Sequence, residues 1–89
     1  MLTIKPTNRF QRDVRLAAKR GKDLDKIEAI VDLLQARKPL PHKNRDHNLS
    51  GDWHHHRECH IEPDWLLIYR VHEDFLFLER TGTHADLFE

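Results

Sequence analysis

Twenty residues, Asp46-His47-Asn48-Leu49-Ser50-Gly51-Asp52-Trp53-His54-His55-His56-Arg57-Glu58-Cys59-His60-Ile61-Glu62-Pro63-Asp64-Trp65, hold five of the chain's eight histidines, its only cysteine and both tryptophans. One more histidine, His84, stands close to the C-terminus. Imidazole gives or takes a proton near neutral pH, its unperturbed pKa being about 6.5. Three chemistries are open to such a set: metal ligation, thiol catalysis and metal-free proton transfer.

Metal ligation fits the spacing poorly. Neighbouring residues of a strand point to opposite faces, so of His54-His55-His56 only His54 and His56 can share an ion. A structural zinc site needs paired Cys or His spacings, and one cysteine supplies no such frame. The expectation is no native metal and no cofactor. Thiol catalysis fits no better: Cys59 falls beside Ile61 on the apolar face of an expected strand, where a buried, inert thiol is the usual outcome. Proton transfer fits best. Cleavage of RNA by its own 2′-hydroxyl needs a base for that hydroxyl, an acid for the leaving 5′-oxygen and positive charge for the phosphate. His47, His60, Asp64 and His84 can supply all three, and Trp65 or Phe88 can stack on a base.

These groups come from a loop, a strand, a turn and a tail, so the rest of the chain must gather them. At 89 residues it is read as one domain, residues 1–89. Residues 2–5 alternate and stop at Pro6, which predicts a short strand. Asn8 with Gln11 reads as a capping box opening a helix, with Phe10, Val14, Ala17 and Ala18 inward and Gly21 as its stop. A second helix starts at Asp23 or Asp25, carries Leu24, Ile27, Ile30, Val31, Leu33 and Leu34 inward, and is ended by Pro39. Two helices joined so closely form an antiparallel hairpin.

Residues 42–52 have the composition of a surface loop. Residues 53–61 predict a strand with His54, His56, Glu58 and His60 on one face and Trp53, His55, Arg57, Cys59 and Ile61 on the other. Residues 65–71 are apolar on both faces, the pattern of a covered central strand. His72-Glu73-Asp74 makes a hairpin, residues 75–79 a last strand, and residues 80–89 close the chain. The expected architecture is α+β: an N-terminal strand, a helical hairpin, then a three-stranded antiparallel meander completing a small sheet, with the helices on one face.

Net charge is zero, but residues 1–45 carry twelve Lys/Arg against five Asp/Glu and residues 46–89 three against ten. Arg12, Arg15, Lys19, Arg20 and Lys22 therefore form a candidate surface for an anionic partner, against the plainer reading of solvated helix charges. A lone cysteine excludes an internal disulfide. With no apolar leader and no membrane span, the expected setting is the cytoplasm.

Asp46-His47-Asn48-Leu49-Ser50-Gly51, then Trp53, Arg57, His60-Ile61-Glu62-Pro63-Asp64-Trp65-Leu66-Leu67-Ile68-Tyr69, then Glu79-Arg80-Thr81-Gly82-Thr83-His84-Ala85-Asp86-Leu87-Phe88 closely resemble the YafQ branch of the RelE/ParE toxin superfamily, over essentially the whole chain. The resemblance implies a RelE-like fold and a type II toxin that cuts mRNA in the ribosomal A site. It implies a cognate antitoxin of the DinJ/RelB kind, with a free monomer and a heterotetramer or larger assembly in the complex. It assigns His47, His60, Asp64 and His84 to catalysis and Phe88 to the family's C-terminal aromatic; Trp65, Arg57 and Arg80 are further candidates for contact with the substrate. The basic helix residues would meet the ribosome and its RNA, and the product would be a 2′,3′-cyclic phosphate. His54-His55-His56 lies outside the signature. The ParE branch, which inhibits DNA gyrase by protein binding, shares the fold but has no need of these histidines.

Overall fold

Thr7 opens the first helix. Its hydroxyl oxygen accepts from the Phe10 amide at 3.0 Å, and α1 runs Asn8–Lys19. The cap is thus one residue ahead of the expected Asn8. The same hydroxyl donates to the Glu79 carbonyl at 2.9 Å, so capping and docking onto the sheet select Thr7 together. Gly21, at φ 81°, ends the helix as expected, with its own amide on Ala18 O and that of Lys22 on Ala17 O. Helix α2, Leu24–Gln35, starts at Asp23, whose carboxylate accepts from the Asp25 amide at 3.0 Å. It stops before Pro39 is reached. Arg37 takes a left-handed φ of 58° and closes the same double turn, its amide on Leu34 O and that of Lys38 on Leu33 O.

The computed structural model describes residues 1–89 and completes one five-stranded sheet: β1 Thr3–Pro6, β2 His47–Asn48, β3 Arg57–Glu62, β4 Trp65–His72 and β5 Phe75–Gly82. Spatial order is β1-β5-β4-β3-β2, with β1 parallel to β5 and every other pair antiparallel. The expected α+β architecture is the one found, with two additions. The supposed surface loop contributes β2, and the tail folds into a third helix, α3, His84–Phe88.

One strand needs correction. Residues 53–56 are not extended: Gly51 (φ 66°) and His55 (φ 70°) turn the chain, and the His56 amide closes onto Trp53 O at 3.0 Å. Alternation begins only at Arg57. Glu58 and His60 do share a face, opposite Ile68 and Leu66 of β4, whereas Trp53 packs against that same face rather than the far one.

Both faces of β4 are covered, which explains its unbroken apolar run. Leu67 and Tyr69 join Phe10, Ala17, Ile27, Ile30 and Leu34 of the helices, with Cys59, Leu76 and Leu78, in the main core. Leu66 and Ile68 meet Leu87 of α3, flanked by Leu49 and Trp53, on the other side. That second, smaller cluster fixes α3 and the β2 loop over the sheet.

Two ion pairs tie the C-terminal part of the chain to α1 and its cap residue Arg20. Asp13 receives Arg80 Nε at 2.8 Å and Nη2 at 2.9 Å, and also the Thr81 amide at 3.1 Å. Arg20 grips Asp86 at 2.6 Å, while Asp86 and Thr83 form the capping box that starts α3. The Arg20 guanidinium, followed by the Thr83 amide, holds the Asp86 carboxyl well below the usual carboxylate range. A lowered folded value stabilises above the unfolded pKa of about 4 and is lost as pH falls below it. Gly82 is required by this closeness: a Cβ there would lie 2.9 Å from Asp86 Oδ2 and 3.0 Å from its Cβ. No helix is long and apolar enough to cross a membrane.

Candidate active site

Three elements each deliver one histidine to a single row. His47 comes from β2, His60 from β3 and His84 from the first position of α3. Ring centroids are 6.4 Å apart for His47 and His60, 5.8 Å for His60 and His84, and 6.5 Å for His84 and Phe88. Between the first two lies Glu58, only 5 % exposed, with Oε1 at 3.5 Å from His47 Nε2 and 3.4 Å from His60 Nε2. Sequence reasoning assigned Glu58 no role. The signal was present in its position two residues from His60 on one strand face, but its burial depends on β2 and β4.

Hydrogen-bond valence fixes where the protons sit. His47 Nδ1 lies 2.6 Å from the Arg45 carbonyl and His60 Nδ1 3.2 Å from the Pro63 carbonyl. A carbonyl only accepts, so both rings donate through Nδ1. Their Nε2 atoms face one carboxylate, and a ring already protonated at Nδ1 can donate there only as imidazolium. His84 differs. Its Nδ1 is 2.6 Å from Asp64 Oδ1, and its backbone amide donates to the same oxygen at 2.9 Å. The amide first, and then the imidazole, hold the Asp64 carboxyl below its ordinary range. An ionised Asp64 keeps the proton on His84 Nδ1 and leaves Nε2 a lone pair. His84 thus presents its Nε2 outward from Asp64, whereas the Nε2 atoms of His47 and His60 both face Glu58.

The remaining expected residues fall in different places. Phe88 is 44 % exposed beside His84. Trp65 is 2 % exposed, with its indole N–H on Thr81 Oγ1 at 3.0 Å, so its ring belongs to the core and offers no stacking face. Arg80 is taken by Asp13, and Arg57 by Asp46, Asn48 and Tyr69, so neither guanidinium is free to grip a phosphate in this arrangement. Of the basic helix residues, Arg12, Arg15 and Lys19 are exposed and enter no ion pair, whereas Arg20 binds Asp86 and Lys22 binds Glu62 at 2.8 Å. Cys59 is fully buried, and burial pushes its thiol up to about 12, which keeps it protonated and inert near neutral pH. The His54 and His55 rings lie 4.2 Å apart, tilted by 48°, and His56 lies against Trp53 and Glu79. A cleft of about 560 Å³ opens between α2 and β3, with Lys43, Arg45 and His60 among its walls.

A metal, if bound, has a different place from the one considered on spacing. Glu58, His60 and His84 can each point one ligand atom to a common centre, these atoms lying within 4.8 Å of one another. The nitrogen and oxygen donors suit zinc or copper. Tetrahedral ligands at about 2.0–2.1 Å from an ion sit roughly 3.3 Å apart, so the trio would have to close inward to hold one.

A family model described as the bacterial toxin of the type II toxin–antitoxin system, YafQ, matches residues 2–89. The mRNA interferase toxin YafQ of Escherichia coli K12 is 45 % identical over 86 residues, covering 96 % of this chain and 94 % of that protein. The crystal structure of the E. coli DinJ–YafQ complex superposes with a TM-score of 0.92 at 43 % identity, covering all of both chains. A metal-bound toxin from Helicobacter pylori superposes with a TM-score of 0.93 at 41 % identity, covering 99 % of this chain and 100 % of the other.

Proposed function

We propose that this chain, which belongs to the YafQ family of bacterial type II toxins, is an mRNA interferase that cuts translated mRNA in the ribosomal A site by metal-free proton transfer. The single observation that carries the reading is the row itself: one imidazole poised on Asp64 and two sharing Glu58. His84 Nε2 takes the proton of a 2′-hydroxyl. The freed oxygen attacks the adjacent phosphorus, and the bond from phosphorus to the 5′-oxygen breaks. His60, as imidazolium, protonates that leaving oxygen. His47, also as imidazolium, steadies the negative charge on the phosphorane. Phe88 stacks on a neighbouring base. The products are a 2′,3′-cyclic phosphate and a 5′-hydroxyl.

Of the basic helix set, Arg12, Arg15 and Lys19 are the cations left for ribosomal RNA, since carboxylates neutralise Arg20 and Lys22. The relative's DinJ complex supports a DinJ-like antitoxin as partner. In this reading the pair acts in the cytoplasm, with the toxin monomeric when free and part of a heterotetramer or larger assembly when silenced. One relative is metal-bound, and in this chain an ion would find its ligands at Glu58, His60 and His84. There it would hold the same nitrogens that move protons, so it would inhibit.

The test is primer-extension mapping of an mRNA in a translating extract, with and without 1,10-phenanthroline, which strips transition metals and leaves the ribosome its magnesium. Cuts within codons that persist or strengthen with the chelator are expected. Their loss would refute the metal-free route. No cuts at all, with relaxed or nicked plasmid, would favour a gyrase inhibitor.

A further inference from the structure

His47 needs an anchor that β2 does not provide by itself. The strand has two residues, paired only to Arg57 and Glu58, and so short a ladder is marginal. The His47 side chain is about half exposed, and the residues around it arise from a turn in which Arg45 adopts a left-handed φ of 46°. Yet a proton donor must be held within a fraction of an ångström of its working position.

The residues on either side of His47 are clamped. The Tyr69 hydroxyl, on a side chain that is itself buried, donates to Asp46 Oδ1 in a short bond. Arg57 Nε reaches the same oxygen at 3.2 Å and the tyrosine hydroxyl at 3.3 Å, while its Nη1 donates to Asn48 Oδ1 at 2.7 Å. Bonds to an ionised acceptor are stronger than neutral ones. Asp46 and Asn48 bracket His47, so β3 and β4 grip the β2 segment from both sides. The histidine ring is left one arrangement: Nδ1–H on Arg45 O and Nε2 towards Glu58.

The geometry points to Tyr69, Asp46 and Arg57 as positioning residues for His47, acting on the reaction through that imidazole and touching no substrate. This rests on the proposed nuclease reading and adds to it three residues on the helix-facing side of the sheet or beside it. Arg57 accordingly serves the site as a clamp and not as a phosphate ligand.

Tyr69→Phe removes one oxygen and keeps the packing. With folding checked by circular dichroism at the assay temperature, it should lower the single-turnover cleavage rate on programmed ribosomes about tenfold and change KM less than threefold. A double-mutant cycle separates positioning from general damage. Placed in a His47→Ala background, Tyr69→Phe should have no further effect on rate. Asp46→Asn, which still accepts from both donors, should keep more rate than Asp46→Ala. Nitrogen-15 spectra of the histidine rings, recorded at a pH where the rings are neutral, give a readout independent of activity: the neutral His47 ring should carry its proton at Nδ1 in the wild type and be a mixture of tautomers in Tyr69→Phe. An unchanged rate and tautomer in Tyr69→Phe, or losses that simply add in the double variant, would overturn the clamp. A wild type that cuts no RNA while its His47 tautomer still responds to Tyr69→Phe would overturn the nuclease reading and leave the clamp standing.

Discussion

His84→Ala is expected to slow cleavage by about 10²- to 10⁴-fold, the range for loss of a positioned general acid or base. The substitution removes the ring nitrogen proposed to take the 2′-hydroxyl proton while sparing what holds α3. Thr83 and Asp86 still form the capping box, Leu87 still packs on Leu66 and Ile68, and alanine favours a helix. The His84–Asp64 contact is largely exposed, with the two side chains 53 % and 64 % accessible, so its loss costs little stability. The melting temperature should therefore move by no more than a few degrees while the rate collapses. Asp64→Asn should do less harm than His84→Ala, because the backbone amide of His84 still finds an oxygen and the ring remains. His54→Ala should change neither rate nor melting temperature. Single-turnover cleavage with all three variants is the measurement, and a His84→Ala rate within threefold of wild type would remove this histidine from the chemistry.

The largest expected loss of stability lies elsewhere, at Asp13. Its carboxylate and the Arg80 guanidinium are only 12 % and 15 % exposed at the side chain, and the carboxylate also accepts the Thr81 amide. Asp13→Ala would leave a nearly buried guanidinium and a backbone N–H without a partner. Breaking such a pair from one side costs about 3–5 kcal/mol, and the remaining exposure argues for the lower end. A domain of this length has ~5–13 kcal/mol in total at ~0.05–0.15 kcal/mol per residue. The loss is then a large fraction of the whole, and the melting temperature should fall by about 12 °C or more, at roughly 4–8 °C per kcal/mol. Adding Arg80→Met to Asp13→Leu should recover part of it, because no charge then remains buried. Thermal unfolding followed by circular dichroism decides the matter. A fall of less than 3 °C would mean that the pair is better solvated than its geometry indicates.

The parts of this molecule that were readable in advance are those specified locally. Gly21 stops α1 because one residue type suits that φ. The run through Leu66, Leu67, Ile68 and Tyr69 declares a strand covered on both sides. What escaped was specified at a distance. His47 and Asn48 have no period of their own and become β2 only because Arg57 and Glu58 lie opposite. The turn at residues 53–56 depends on a positive φ at His55, a residue type that gives no such warning. Arg80 resembles a phosphate ligand until its partner, 67 residues away in the chain, is seen. Trp65 is as suitable for a base as for a core, and only the packing of β4 between two layers decides. Thr83 with Asp86, by contrast, was a legible helix start whose shortness hid it. Of the site, the identities of the histidines could be expected, but their distances and the buried Glu58 between two of them required the fold.

Central to the proposed mechanism is that the row transfers protons and that the RNA's own 2′-hydroxyl is the nucleophile. Mass spectrometry of the new ends, on mRNA fragments cut in a translating extract containing 1,10-phenanthroline, addresses it most directly. A 2′,3′-cyclic phosphate on the upstream fragment with a 5′-hydroxyl on the downstream one is the predicted result. A 3′-hydroxyl paired with a 5′-phosphate, the signature of attack by water, would contradict it.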